Sequence, residues 1–289
     1  MDTKFLETFL LVADHGSMAE AARRLGVTPA AVAQRIAALE SSVGAPLLVR
    51  SGRRVQPSDA GRAILAQSRR ILADVRRLGL IAHEDSAVGE LRLGAISTAL
   101  TGLLPPALRR LSDSGAGIEL FVVPGTSSQI YRLLAEDRID AALLVRPPFT
   151  LPKSLDWQVQ RQEPMVLICP EAWADQDVMS LLRDRPFIRY DHNNWGGRLA
   201  DGWMKARRLV VREWLELDQL EAIAVMVSNG LGVSIVPDWA PPWPDGLRLR
   251  RLPLPGLPAL RREIGLLSPR SSPTRRLVAR LQAALQQTG

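Results

Sequence analysis

Residues 15–29 carry closely spaced helix stop and start signals, and this feature restricts the fold more than any other. Ser17 is followed three residues later by Glu20, which is the pattern of a capping box, so a helix is predicted to begin there. Gly26 ends that helix after two turns, and Thr28-Pro29 supplies an N-cap and a first-turn proline for the next one. Two helices joined by a tight glycine turn are typical of a helix-turn-helix, and we predict that motif here.

The second helix of a helix-turn-helix lies in the major groove of DNA, with its first turns nearest the bases. In this sequence small side chains on those turns allow close approach, and the polar groups of Gln34 and Arg35 match purine edges. The alternative is that such residues are ordinary solvated helix positions. The candidate DNA-contacting residues of this region are Ser17, Thr28, Pro29, Ala30, Ala31, Gln34 and Arg35.

A basic tetrapeptide, Ser51-Gly52-Arg53-Arg54, stands between two short apolar segments, which indicates a two-stranded hairpin with a basic tip. A wing of this kind neutralises phosphates or enters the minor groove, where it adds affinity that falls with salt. The candidate contacts of the wing are Arg50, Arg53 and Arg54. We therefore predict an all-α winged helix-turn-helix DNA-binding domain over residues 1–58.

The positive charge of the chain is concentrated in one segment. The whole chain has 37 Lys and Arg against 30 Asp and Glu, a net charge of +7. Between Glu20 and Arg77, eleven arginines stand against four acidic residues, so this segment alone carries +7 and the rest is neutral. A basic patch on a helical domain is the electrostatic footprint of nucleic-acid binding, and we expect double-stranded DNA as the partner.

A long helical pattern runs from Ser58 to about Ala82, with a narrow apolar stripe that includes Ile71, Val75 and Leu78. One helix cannot bury such a stripe alone, so pairing with a second copy is the simplest prediction. Packing onto its own domain is the alternative. We predict a linker and dimerisation helix over residues 59–88.

Beyond residue 88, short apolar runs alternate with helical patterns. This alternation favours βαβ units with a largely parallel, buried sheet, followed by a C-terminal helix from about Ser272. We therefore predict an α/β domain over residues 89–289. The apolar runs are 91–96, 118–123, 141–145, 165–169, 187–190, 232–236 and 264–267.

Several function classes lack their motifs in this sequence. There is no glycine-rich phosphate loop, no metal-ligand spacing around the three histidines and no Gly-x-Ser-x-Gly elbow. A single cysteine, Cys169, forbids an intramolecular disulfide, the charged N-terminus is unlike a signal peptide, and no run of about 18 apolar residues occurs. We expect a cytoplasmic protein that is not an enzyme, holds no cofactor or metal, and does not associate with a membrane.

The N-terminal motifs together resemble those of the LysR-type transcriptional regulator family. The matching residues are Ser17, Ala21, Ala22, Leu25, Ile36, Leu39, Glu40, Gly44, Leu47, Arg50 and Gly61. The chain departs from the family pattern where Pro29-Ala30 replaces a Gln-Pro pair, Ala33 a serine, Leu48 a phenylalanine and Ser58 a threonine. The resemblance implies a ligand-responsive, sequence-specific regulator that binds promoter or operator DNA.

The resemblance also implies two Rossmann-like subdomains of the type 2 periplasmic-binding-protein kind, subdomain I at 89–161 and 268–289 and subdomain II at 162–267. A small-molecule effector is expected between them. Hydroxyls and free amides at two strand-to-helix turns favour an anionic group, although the same residues are also ordinary N-caps. The candidate effector-binding residues are Ser97, Thr98, Ala99, Gly125, Thr126, Ser127, Ser128, Arg146, Tyr190, His192 and Trp195.

The resemblance implies a homodimer through the linker helix, a homotetramer through the effector domains, and contact with RNA polymerase. Effector binding is expected to change the packing of the two subdomains and, through the linker, the spacing or bend of the bound DNA. The rival hypothesis is a cytoplasmic small-molecule (solute) binding protein whose N-terminal helices serve only dimerisation. That hypothesis leaves the +7 of the N-terminal segment unexplained.

Overall fold

The computed structural model describes residues 2–52, 54–82, 89–115, 117–256 and 259–286. The chain divides into two compact units. The N-terminal unit comprises the residues up to Ala82 together with Glu136–Arg138, and the C-terminal unit comprises the rest. Each unit has its own hydrophobic core. Among the helices described, none combines the length and the apolar character that crossing a membrane requires.

The N-terminal unit is built from helices and one hairpin, as the sequence predicts. Ser17 Oγ accepts a hydrogen bond from the Glu20 amide at 3.3 Å, which caps the second helix. Gly26 ends it in the left-handed conformation with φ of 64°. The predicted helix-turn-helix is therefore confirmed. The elements are α1 (Thr3–His15), α2 (Met18–Leu25), α3 (Pro29–Val43), β1 (Leu48–Ser51), β2 (Arg54–Pro57) and α4 (Asp59–Ala82).

Apolar residues at helical spacing form the core of this unit. Phe9 and Val12 of α1 and Leu39 of α3 are fully buried, and each contacts the same cluster. Burying a side chain of this size stabilises the fold by about 1.5–3 kcal/mol. Three helices that cannot bury their apolar faces separately are thereby held as one body.

The long helix α4 uses most of its apolar stripe within its own unit. Ile64 and Ile71 are partly buried against the core of the N-terminal unit. Val75 and Leu78, further along the helix, are 42% and 62% exposed. The first turns of this helix thus pack on their own domain, as the alternative expectation had it, while its later apolar residues Val75 and Leu78 stay exposed and pairing with a second copy stays a prediction.

The start of α4 explains a glycine that the sequence shares with the family pattern, Gly61, and the serine that replaces the family's threonine, Ser58. Ser58 Oγ accepts from the Gly61 amide at 3.0 Å and donates to the Pro46 carbonyl at 2.6 Å. A Cβ atom placed on Gly61 would overlap the Leu47 carbonyl oxygen. Only glycine permits this approach, so the helix start and the hairpin are locked together at one point.

The C-terminal unit is an α/β structure. Its elements are β3 (Gly89–Ala95), α5 (Ser97–Gly102), α6 (Leu104–Asp113), β4 (Ile118–Pro124), α7 (Ser127–Ala135), β5 (Ala141–Val145), β6 (Leu155–Pro170), α8 (Val178–Asp184), β7 (Pro186–Tyr190), α9 (Trp195–Ala206), β8 (Arg212–Leu217), α10 (Leu220–Ser228), β9 (Ser234–Pro237), β10 (Leu249–Pro253), β11 (Arg261–Pro269) and α11 (Arg275–Gln286). The main sheet has the order β10-β6-β11-β5-β3-β4, and β9 also pairs with β6.

The main sheet is mixed, whereas the sequence predicted a largely parallel one. Strand β3 pairs in parallel with β4 and β5, but β6 and β11 pair antiparallel along their length. The last part of β6 pairs with β9 and β10, while β11 joins β5 from Ile264 onward. These two strands run in opposite directions between the two predicted subdomains, called the first lobe (89–161 and 268–289) and the second lobe (162–267) from here on, so their pairing is antiparallel.

Alternation along β6 divides the core of the second lobe into two layers. Met165 and Leu167 belong to the cluster that includes Trp203 of α9, whereas Val166 belongs to the cluster that includes Trp239. Successive residues of a strand point to opposite faces, so a continuous apolar run buries both faces. In the first lobe, α11 packs on α6 and β3.

Candidate functional site

Helix α3 presents its first turns to solvent. Thr28, Pro29, Ala30 and Gln34 are exposed and Ala31 is partly buried, while Val32 and Ile36 on the opposite face are buried in the core. Thr28 Oγ1 accepts from the Ala31 amide at 3.2 Å, so this hydroxyl already caps the helix. The exposed face carries short side chains around one amide, which lets another surface approach the helix backbone.

Arg35 lies beside this face and leans on the first helix. Its Nη1 donates to Thr8 Oγ1 at 3.4 Å, and Thr8 Oγ1 donates to the Lys4 carbonyl at 2.7 Å. No carboxylate among the described residues pairs with Arg35. The guanidinium is therefore positioned by a weak neutral contact and keeps its charge available.

Glu20 plays a part that the sequence did not predict. The capping-box expectation has its carboxylate bonded to a free backbone amide, but it accepts from Arg24 Nε at 2.7 Å and from Arg23. The hydrogen bond from Arg24 is the main reason that the pKa of Glu20 lies below its ordinary value. One carboxylate thus pairs with two arginines near the turn and offsets the charge of one of them.

The wing stands next to α3 because a carboxylate of that helix holds its first strand. Glu40 Oε1 accepts from the amides of Leu47 and Leu48 at 2.7 and 3.2 Å. Strands β1 and β2 are antiparallel, and Arg50 and Arg54 are exposed on them without a carboxylate partner among the described residues. The predicted tip residue Arg53 falls outside the part of the chain that the structure describes.

The second candidate site is a cavity of about 250 Å³ between the two lobes of the C-terminal unit. It lies where the predicted strand-to-helix turns meet residues of the second lobe. Seven of the predicted effector residues line it: Ser97, Thr98, Gly125, Thr126, Ser127, Tyr190 and Trp195. Residues that sequence reasoning did not single out also line it, among them Asn194, Gly196, Asp218, Gln219 and Arg262.

The other four predicted effector residues have different positions. Ala99 is buried within α5, and Ser128 is exposed with its hydroxyl 3.2 Å from that of Thr126. Arg146 Nη1 pairs with Glu263 Oε1 at 2.8 Å, and His192 Nδ1 lies 2.5 Å from Glu216 Oε1 on the exposed surface. None of the four is among the residues that line the cavity.

The turn before α7 is a reciprocal capping box. Gln129 Oε1 accepts from the Thr126 amide at 2.9 Å, and Thr126 Oγ1 accepts from the Gln129 amide at 3.4 Å. Ser127 Oγ accepts from the Val145 amide at 3.1 Å, which ties the turn to β5. The N-cap role foreseen as an alternative for Thr126 is therefore present, and the same turn also lines the cavity.

One lining residue of the cavity, Arg262, belongs to a buried ion pair. Arg262 and Glu163 face each other across β11 and β6 and are 1% and 0% exposed. Arg262 Nε and Nη2 donate to Glu163 Oε2 at 2.8 and 2.5 Å, and Nη2 also donates to Thr98 Oγ1 at 3.1 Å. Burial raises the pKa of the neighbouring Tyr190 phenol, an effect that Arg262 partly opposes. A full charge is thus held at a place where water is largely excluded.

Trp195 joins the lobes at the edge of the cavity. Its ring lies 6.0 Å from that of Tyr131 in α7 and 5.7 Å from that of Phe149, both edge to face. Tyr131 and Phe149 belong to the first lobe, and their own rings are 5.1 Å apart. Such pairs contribute about 0.5–1.5 kcal/mol each beyond burial, so this cluster favours the closed arrangement of the lobes.

The residues that the sequence missed carry weak local signals. Arg262 and Glu163 stand among other polar and charged residues of their strands, Arg261 and Glu263 in β11 and Arg161 and Gln162 in β6, so nothing local marks them as a buried pair. Asp218 lies between the end of β8 and α10, and Gln219 is the N-cap of α10 without a side-chain cap bond. Nothing in the sequence alone places these four residues around one cavity.

Two family models match the chain. The model described as "LysR substrate binding domain" matches residues 84–289, and the one described as "Bacterial regulatory helix-turn-helix protein, lysR family" matches residues 3–62. Among curated relatives, the chain is 33% identical over 244 residues to the HTH-type transcriptional regulator IlvR of Caulobacter vibrioides, with 82% of each chain covered. It is 32% identical over 257 residues to YnfL of Escherichia coli, again with 82% of each covered.

Solved structures of full-length regulators have the same fold. Full-length OxyR from Pseudomonas aeruginosa matches with a TM-score of 0.69 at 21% identity, covering 99% of this chain and 95% of that one. CbnR in complex with its target DNA matches with a TM-score of 0.68 at 23% identity, covering 100% of both chains. At these identities the likeness concerns the fold.

Proposed function

The chain belongs to the LysR family of bacterial transcriptional regulators, and from this premise we propose how its residues bind DNA and respond to an effector. The observation that carries the proposal is the presence of both family domains in one chain, a helix-turn-helix domain and an effector-binding domain. The protein is a regulator whose DNA binding depends on a small molecule.

Helix α3 enters the major groove and reads bases with its exposed first turns. The short side chains there support close approach, and Gln34 and Arg35 are the groups suited to base edges. Arg50 and Arg54 of the wing, with Arg53, contact phosphates, because the two described arginines have no carboxylate partner. The remaining DNA-contacting residues in this proposal are Ser17, Thr28, Pro29, Ala30 and Ala31.

The effector binds in the cavity between the lobes. Seven predicted residues line this cavity, which supports its assignment. Because the cavity has walls from both lobes, a bound molecule favours one arrangement of the lobes over the other by the difference in its affinity for them. That preference is passed to the DNA-binding domains as a change in the spacing or bend of the bound DNA.

The protein acts in the cytoplasm as a homodimer through α4 and as a homotetramer through its effector domains, with RNA polymerase as a further partner. The exposed Val75 and Leu78 support pairing of α4 with a second copy, because such a pair removes apolar area from water. An effector-dependent change in DNA geometry at the promoter is then presented to the polymerase.

A salt-titrated gel shift tests the proposal. The full chain is titrated onto the DNA immediately upstream of its own coding sequence and onto a scrambled duplex of equal length. We expect a preference of about 10³-fold or more for the upstream DNA at moderate salt. Equal affinity for both duplexes would contradict sequence-specific binding to this DNA, and absence of binding at low salt would favour the rival solute-binding hypothesis.

A further inference from the structure

We infer that the molecule bound between the lobes is a zwitterion, an α-amino acid with an uncharged side chain. Its carboxylate lies toward Arg262 and the start of α7, and its ammonium group lies toward Asp218. This inference rests on the proposed function, because it takes the cavity as the effector site.

The size of the cavity restricts the ligand to a small molecule. Sites for drug-sized ligands have volumes of about 300–1,000 Å³. The cavity here is about 250 Å³ and has walls from both lobes. The cavity is therefore below the usual size of a site for a drug-sized ligand, and a free amino acid is small enough to occupy it.

The end of the cavity that would hold the ligand carboxylate contains a guanidinium with unused N–H donors. Arg262 has five N–H donors, of which Nε uses one on Glu163, and Nη2 uses one on Glu163 and one on Thr98. Nη1 therefore keeps at least one donor without a protein acceptor among the described residues, in a side chain that lines the cavity and is 1% exposed.

The start of α7 adds a neutral donor at the same end. In this nine-residue helix the amides of Thr126 and Gln129 are occupied by the capping box, whereas that of Ser127, which lines the cavity, has no acceptor among the described residues. A free amide in the first turn of a helix favours a negative group. The Ser127 amide and Arg262 together offer donors to one carboxylate.

The ammonium end is defined by Asp218. Asp218 lines the cavity and is exposed, and no hydrogen bond or ion pair to its carboxylate occurs among the described residues. An unpaired carboxylate attracts a cation, and the other ionisable charge on the cavity wall, Arg262, is already paired. Asp218 is therefore the group that a ligand ammonium would meet.

The net charge of the site favours a zwitterion over the plain anion expected from the sequence. Arg262 and Glu163 cancel each other, so Asp218 leaves the cavity with one net negative charge. A ligand with only a carboxylate would add a second negative charge near Asp218, and one with only an ammonium group would leave the free donors of Arg262 unused. An α-amino acid adds no net charge and faces each group with its opposite.

The rest of the wall determines the side chain of the ligand. Apart from Asp218 and Arg262, the described lining residues carry no formal charge. Apolar contacts are offered by Ile96, Leu100, Val145, Trp195 and Leu220. A charged ligand side chain would lose its hydration there without a partner, so the bound amino acid has an uncharged side chain.

Isothermal titration calorimetry of the full chain tests the inference. The probes are the uncharged L-amino acids, each compared with its 2-oxo acid, which lacks the ammonium group, and its amine, which lacks the carboxylate. We expect one or more amino acids to bind at least 10-fold more tightly than both analogues. Asp218→Asn should weaken that amino acid at least 10-fold and leave the 2-oxo acid unweakened, so the discrimination is lost.

Asp175→Asn is the matched control, because Asp175 is also exposed but does not line the cavity. It should leave every affinity unchanged. Equal binding of amino acid and 2-oxo acid, or an Asp218→Asn protein that binds the amino acid as the parent does, would overturn the zwitterion. Absence of binding by every probe would overturn it as well. The upstream DNA is titrated with the same samples. Specific DNA binding without amino-acid binding would overturn this inference and leave the proposed DNA-binding function intact.

Discussion

The buried ion pair of Arg262 with Glu163 provides the sharpest test of the energetics of the C-terminal unit. Arg262→Met removes both donors to Glu163 Oε2 and the donor to Thr98. Glu163 then keeps the amide of Ala240, which donates to Oε1 at 3.2 Å, and Arg161 Nε at 3.5 Å. A carboxylate with 0% exposure is thereby left with only weak stabilisation.

The expected cost follows from the residual partners. Removing one member of a buried pair destabilises a protein by about 3–5 kcal/mol, because the remaining charge stays out of water. Arg161 partly replaces the lost cation, so we expect about 3 kcal/mol for Arg262→Met. Replacing both residues by methionine removes the stranded charge and leaves mainly the Ala240 amide without its acceptor, which costs about 1 kcal/mol.

Urea unfolding followed by tryptophan fluorescence measures these differences in stability for the C-terminal unit, which contains the ion pair. All seven tryptophans belong to the C-terminal unit: Trp157, Trp173, Trp195, Trp203, Trp214, Trp239 and Trp243. The double variant should unfold at a higher urea concentration than Arg262→Met. A double variant no more stable than the single one, or a single cost below about 0.5 kcal/mol, would refute the reasoning about a stranded charge.

Three further predictions concern other parts of the molecule. Gly61→Ala should destabilise the N-terminal unit by about 2–4 kcal/mol in a thermal melt followed by circular dichroism, because the new methyl group meets a backbone oxygen. The control Gly202→Ala, in open space within α9, should stabilise the protein by about 0.5–1 kcal/mol, and equal effects of the two changes would contradict the overlap. Replacing Arg50 and Arg54 by alanine should weaken binding to all DNA sequences and reduce the slope of log affinity against log salt by about 2 in a gel shift, and an unchanged slope would remove the wing from the interface. Burial raises the pKa of Tyr190 above its ordinary 10.0, so the unfolded state releases this proton first and the stability of the fold falls as the pH rises above about 10. Tyr190→Phe should make that fall shallower in urea titrations at pH 9 to 11, and an identical pH profile would contradict burial as the cause.

The sequence predicted those parts of the candidate site that depend on a short local pattern and missed those that depend on distant residues. The turns after β3 and β4 were found because serine, threonine and glycine next to a predicted strand are a local pattern, and Ser97, Thr98 and Thr126 do line the cavity. Asp218 and Arg262 were missed because each is an ordinary residue in its own segment. Only the tertiary structure, which folds these distant segments of the chain together, brings them to one cavity.

Strands with mixed surfaces were also missed. β8 and β10 contain charged as well as apolar residues and lie at the edges of their sheets, so they lack the unbroken apolar run that identified the central strands. The predicted run at 165–169 is the end of a strand that starts at Leu155. Its first half has polar residues, and the pairing with β11 is what makes it a strand.

The amino-acid sequence by itself determined the helix-turn-helix. Ser17, Gly26 and Thr28 act on backbone groups within three or four residues, so their effect is decided before any distant contact forms. The tertiary structure alone decided the charge of the cavity. Glu163 and Arg262 are 99 residues apart in the chain, and the energy of their pair depends on a burial that neither segment produces separately.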